Sequence, residues 1–134
     1  MSLRAIADTH TIIWYMYGDA RLSAAGRLEI DSAAADGEQI GVSTISLVEI
    51  VYLAEKGRIA ANVPDDILAV LHDPIPLLLE IPVDRTIVAA LRRVDRVQVP
   101  ELADRVIAAT AHHFGLPVIS RDRKITASVI PTIW

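Results

Sequence analysis

The sequence predicts an α/β fold in which a parallel sheet is covered by helices on both faces. Two observations carry that expectation. Apolar runs of strand length alternate with helix-like segments over the whole chain. No linker-like stretch, internal repeat or low-complexity tract interrupts the alternation, so residues 1–134 read as one domain. The apolar fraction of 52% is ample for the core of a chain this long.

Leu3 to Ala7 is the first strand-like run, and it stops on Asp8. Thr9 to Tyr17 reads as a helix ended by Gly18, and Leu22 to Ala35 as a second closed by Asp36-Gly37. Ile40 to Thr44 is the second strand. In the following segment Leu47, Ile50, Val51 and Ala54 recur at three-to-four spacing, which places them on one helical face; Gly57 ends it. Pro64 suits a first helical position ahead of a short helix, Asp65 to His72. "PLLLEIPV" is the third strand, and Asp84 can cap a helix running to about Val94. Pro100 precedes a helix from Glu101 to Phe114, terminated by Gly115 and Pro117. "PVIS" is the fourth strand, and "VIPTI" a short last one.

Composition narrows the chemistry. Thirteen Lys and Arg against seventeen Asp and Glu give a formal charge of −4, so no global attraction to nucleic acid exists, although a local basic rim is compatible with it. The chain has no cysteine, which removes disulfides and thiolate ligands. Charge breaks the opening segment too early for a secretory signal, and "PLLLEIPV" is far short of a membrane span. A soluble, cytoplasmic protein is the expectation.

Four acids fall where ligands bind in open α/β sheets, beyond the carboxyl ends of the strands. Asp8 follows strand one and Asp122 strand four; Glu49 is expected on the first turn of the helix after strand two, and Asp104 on the first turn of the helix that feeds strand four. Each has an ordinary explanation. Asp8 can cap its helix. Ser46 and Glu49 form an S-L-V-E capping box. Asp104 can favour the positive end of a helix dipole, and Asp122 can be a turn residue in "SRDRK". Their joint placement raises the functional reading. Convergent carboxylates without thiols suit hard cations, Mg²⁺ or Mn²⁺, which bind oxygen ligands and phosphate substrates. Such ions lower the pKa of water and offset charge on a leaving oxygen, so the residues point to metal-assisted phosphodiester chemistry. His10 lies near the site and can touch substrate, whereas His112 and His113 read as surface or packing residues.

The segments "IADTHTIIW", "VSTISLVEI", "ADRVIAATA" and "PVISRDRKI" together resemble the PIN-domain family, and most nearly its VapC-like toxin ribonucleases from bacterial toxin–antitoxin pairs. The resemblance spans Ile6 to Trp134. It places the family's four acids on Asp8, Glu49, Asp104 and Asp122, its hydroxyl after the first acid on Thr9, and its hydroxyl ahead of the last acid on Ser120. Many relatives carry D-P-x-D before the "IAATA" helix; here the run is Glu101-Leu102-Ala103-Asp104, which keeps an acid but not the proline and makes Glu101 an accessory candidate. The resemblance implies a three-layer α/β/α fold with a central parallel sheet of about five strands. It also implies Mg²⁺- or Mn²⁺-dependent cleavage of single-stranded RNA, a homodimer, and an antitoxin protein as partner.

Arg105, Arg121, Arg123 and Lys124 flank the acids and are candidate RNA-phosphate contacts, while Arg92, Arg93 and Arg96 form a second basic stretch. Trp14 and Tyr15 read as core or interface residues. A phosphoacceptor receiver domain would need paired acids after strand one, where this chain has Asp8 alone. A metal-dependent phosphatase is chemically possible. The alternative from a different class is a non-catalytic PIN-fold binding or scaffold protein.

Overall fold

A computed structural model describes residues 2–126 and 130–134. Five parallel strands form one sheet in the order β3-β2-β1-β4-β5: β1 (Leu3–Ala7), β2 (Gln39–Ser43), β3 (Leu78–Ile81), β4 (Val118–Ile119) and β5 (Thr132–Ile133). The helices are α1 (Thr9–Met16), α2 (Ala24–Asp36), α3 (Thr44–Glu55), α4 (Val63–Leu71), α5 (Arg85–Ala90), which runs into a 3-10 turn (Leu91–Arg93), α6 (Leu102–Phe114) and α7 (Arg123–Thr126). The expected three-layer α/β/α architecture and five-stranded parallel sheet are both present.

Strand order explains the layering. The chain steps outward from β1 to β2 to β3, then crosses back over β1 to β4. Because parallel crossovers are right-handed, reversing direction sends the later helices to the opposite face. Successive residues of a strand point to opposite faces, and β1 divides accordingly: Ala5 and Ala7 join the core formed with Ile12, Ile30, Ile50 and Ile67 of α1 to α4, whereas Ile6 joins Ile87, Ile107 and Ala111 of α5 and α6. In the middle of β2, Gly41 keeps that second face close-packed. A Cβ there would stand 2.5 Å from Ile81 Cδ1 and 2.6 Å from Ile6 Cδ1, inside any van der Waals contact. At the amino end of the sheet, the Arg4 guanidinium gathers Glu29, Asp36 and Glu38 at 2.8 to 2.9 Å, tying β1 to the end of α2.

The predicted elements correspond to observed ones with small shifts at their ends. Four differences matter. The second helix starts at Ala24 because Ser23, accepting from the Gly26 N–H at 3.0 Å, is its N-cap. The third starts at Thr44 because Ser43, not Ser46, is the N-cap. The helix after β3 tightens into a 3-10 turn over its last three residues. The short α7 has no counterpart in the sequence reading. Val129, the first residue of the predicted last strand, lies outside the described residues. Among the described residues, no helix is long and apolar enough to cross a membrane.

Candidate active site

Neighbouring strands β1 and β4 lead into connections that run in opposite directions across the sheet, toward β2 and β5 respectively. Such a reversal opens a crevice at the carboxyl ends of the two strands. A cleft of about 430 Å³ lies there, with Asp8, Thr9, Glu49, Glu101, Asp104 and Asp122 on its walls and His10, Trp14, Arg21, Arg121 and Lys124 around them.

Each acid is aimed by local structure. Asp8 leaves β1 extended and caps α1: its Oδ1 accepts from the Thr11 N–H at 2.9 Å. Its Oδ2 accepts from the Ser120 hydroxyl at 2.5 Å. The cap and the site are therefore the same side chain, one oxygen serving each. Ser120 in turn accepts from the Asp122 N–H at 2.9 Å, and Asp122 caps α7 by accepting from Lys124 N–H at 2.8 Å. This relay locks the ends of β1 and β4 together.

Glu49 is not in a capping box. With Ser43 as N-cap, Glu49 falls on the second turn of α3 rather than the first, and Ser46 is buried inside the helix. The Glu49 Oε1 accepts from the Thr9 hydroxyl at 2.5 Å, and the Thr9 oxygen also contacts Ser46 Oγ at 3.1 Å. The role expected of Ser46 and Glu49 together is thus replaced by a link from α3 to α1. Asp104 lies in the first turn of α6, and Glu101 occupies the N-cap position without a side-chain capping bond.

The electrostatics tie the four acids together. The Asp104 carboxyl is pushed up to about 7, first by burial, then by the charge of Asp122 and a side-chain hydrogen bond with it, then by the charges of Glu49 and Asp8. Taking a carboxylate out of water beside like charges disfavours its ionised form. Among the described residues, however, no group of three or more acids or histidines is already arranged as a metal cage.

The basic candidates separate. Arg121 and Lys124 border the cleft. Arg105 does not: its Nε donates to Val94 O and its Nη2 to Leu91 O, both at 3.0 Å, so it clamps the 3-10 turn to α6. Arg123 is exposed and outside the cleft lining. Trp14 is buried, as a core residue should be, yet its ring borders the cleft. Arg21 was not anticipated. It reaches the cleft from the turn before α2, a position that no local motif marks.

The PIN domain family matches residues 5–128, which run from β1 beyond α7 and contain all four acids. The chain is 26% identical over 132 residues to Ribonuclease VapC22 of Mycobacterium tuberculosis, covering 96% of this chain and 97% of that one. Its fold is similar to that of VapBC2 from Rickettsia felis bound to a promoter DNA fragment (TM-score 0.69, 14% identity, 98% and 97% of the two chains). It is also similar to a toxin–antitoxin complex from Klebsiella pneumoniae (TM-score 0.64, 21% identity, 97% and 96%). A third likeness is to FitAcB from Neisseria gonorrhoeae (TM-score 0.55, 23% identity, 96% and 95%). With the match running through every strand but the last and across the whole acidic cleft, this chain belongs to the PIN-domain family.

Proposed function

We propose that the protein is a metal-dependent endoribonuclease toxin that hydrolyses phosphodiester bonds of single-stranded RNA and is silenced by an antitoxin protein. The observation that carries this reading is the convergence of Asp8, Glu49, Asp104 and Asp122 on one cleft, close enough for the other three to raise the Asp104 pKa. Ribonuclease VapC22 and the toxin–antitoxin complex are similar proteins that support it.

The donor set fits Mg²⁺ or Mn²⁺. It offers only hard oxygen ligands, and its clustered negative charge, which raises the Asp104 carboxyl, is the kind a divalent ion relieves. Asp8, Glu49, Asp104 and Asp122 would hold the ion. When bound, the ion supplies charge neutralisation at phosphate and a lowered pKa for the attacking water. The chain's own contribution is orientation. Ser120 fixes one Asp8 oxygen, and Thr9 fixes one Glu49 oxygen. Lys124 and Arg121 border the acids, where they can meet the phosphates on either side of the scissile bond. Glu101, in the cleft lining, serves as an accessory acid.

Cleavage of a labelled single-stranded RNA should require Mg²⁺ or Mn²⁺ and stop with EDTA, while Ca²⁺, with its larger and looser coordination shell, supports it poorly. Full cleavage in EDTA after removal of trace metal would refute the metal assignment. Absence of cleavage with either ion would favour the non-catalytic scaffold.

The homodimer belongs to the same proposal, and α2 and α3 are its candidate contact elements. On α3, Val48 (52% exposed), Val51 (43%) and Tyr52 (61%) share one outward face at helical spacing, whereas Leu28 is the large hydrophobic residue exposed on α2. Light scattering should give twice the 14.6 kDa chain mass. Tyr52→Glu should return the monomer, because it puts a charge in the middle of that face; a variant that stays dimeric would move the interface elsewhere.

A further inference from the structure

The cleft contains a second device beside its acids. The Arg21 guanidinium lies 5.2 Å from the centre of the Trp14 ring, and the Arg121 guanidinium lies 4.7 Å from it. Two cations from distant parts of the chain thus share one aromatic support at the edge of an acid-lined pocket. Trp14 is only 5% exposed, so it has little face left for a nucleobase. The ring packs in the core and against the His10 and Trp134 rings, and both guanidinium groups stand over it.

Arg21 is fixed from a second direction. Its Nε and Nη2 donate to Asp19 Oδ1 and Oδ2 at 3.1 and 2.7 Å, and the Arg21 N–H donates to Asp19 Oδ1 at 2.9 Å. The fork engages one edge of the guanidinium and leaves the Nη1 protons and one Nη2 proton for another acceptor. Arg121 forms no ion pair among the described residues. Its side chain rests on Trp14 immediately after Ser120, which holds Asp8.

We propose that Arg21 and Arg121 form a phosphate clamp that positions single-stranded RNA across the acidic cleft, with Trp14 as its support and Asp19 as its orienting residue. The clamp rests on the ribonuclease reading and extends it to the binding of substrate. Its physical need is plain. A polyanion approaching a pocket walled by carboxylates, on a chain of net charge −4, meets repulsion unless fixed cations receive it. A planar guanidinium oriented by an aromatic ring, and in Arg21 also by a carboxylate, has less freedom to lose when it takes a phosphate oxygen.

The test uses the full chain and a short single-stranded RNA with 2′-O-methyl groups at every position, measured by anisotropy in EDTA, so that binding is read without cleavage or metal. Arg21→Ala and Arg121→Ala should each weaken binding by about five- to tenfold. Each should also flatten the dependence of log affinity on log salt by about 0.7, the slope expected for one phosphate contact on a single strand. Arg21→Lys, which keeps the charge but not the fork, should fall between. On cleavable RNA the same variants should raise KM while kcat stays within about twofold, the pattern of uniform binding. Unchanged affinity and unchanged salt slope in both alanine variants would overturn the clamp, as would a wild-type chain that does not bind the oligonucleotide. Loss of binding to a partner protein with RNA affinity intact would overturn it too, and assign the arginines to that partner. Binding without cleavage by the wild type would sink the ribonuclease reading and leave the clamp standing.

Discussion

Asp8→Asn should reduce RNA cleavage by about two to three orders of magnitude, the usual cost of removing one preorganised charge from a reaction site, while leaving the fold unchanged. The two effects separate because Asp8 has two jobs. Asparagine is as good an N-cap as aspartate, so the bond from the Thr11 N–H survives and α1 keeps its start. The other oxygen, which accepts from Ser120, can be replaced by an amide nitrogen that donates to the same hydroxyl. Only the negative charge disappears, and with it a ligand for the divalent ion. Initial rates on labelled RNA in Mg²⁺ and a thermal melt of both proteins test this. Activity within tenfold of the wild type would remove Asp8 from the chemistry. Asp8→Ala is the informative contrast, since it loses the cap as well and should cost about 1 kcal/mol of stability.

Asp104→Asn should also abolish cleavage, yet make the metal-free protein more stable. The folded Asp104 carboxyl is raised to about 7, mainly by burial and by Asp122, against an unfolded value near 3.8. Between those two pH values the folded state keeps a proton that the unfolded state has released. Wild-type stability from this residue is therefore full below the unfolded pKa and falls as pH rises toward the folded one. The variant has no such loss. After discounting for solvent around a partly exposed group, its gain at pH 8 is on the order of 1–2 kcal/mol, or a few degrees in Tm. Mg²⁺ should reverse the order, stabilising the wild type more than the variant, because the ion relieves the repulsion that the substitution removes. Melting curves of both proteins at pH 5 and pH 8, with and without Mg²⁺, test all of this. Equal melting temperatures at pH 8 without metal would show that Asp104 is not under electrostatic load. The same coupling predicts that Mg²⁺ affinity rises with pH, with a midpoint below the metal-free value of about 7 because the ion draws the Asp104 carboxyl down.

Much of this arrangement was legible in the sequence because strand endings are local events. An apolar run that stops at an acid, followed by a helix, marks both Asp8 and its position at the sheet edge. The errors arose where two local patterns compete. "STIS" offers two serines that could each open α3; Ser43 wins because β2 ends there, and that choice moves Glu49 one turn onward. Arg105 stands next to Asp104 in sequence, but adjacent residues on a helix point about 100° apart. Its side chain reaches the carbonyls of Leu91 and Val94 instead of the cleft. Arg21 carries no sequence signal at all, because its proximity to Trp14 and Arg121 exists only once α1 and β4 are in place. A four-residue helix such as α7 is too short to display a period.

The hydrogen bond between Asp8 and Ser120 joins residues 112 positions apart. This makes the order of synthesis relevant to when the cleft is complete. β1 is made first and can pair early with β2, but its other edge waits for β4, and β4 in turn pairs with β5. Long-range pairing of this kind closes late because the intervening chain has to be ordered before the contact forms. A nascent chain that has already buried β1 to β3 against α1 to α4 still lacks Ser120, Arg121 and Asp122. The cleft comes into being only once synthesis has passed Asp122, because the complete set of four acids on its walls needs β4 paired beside β1.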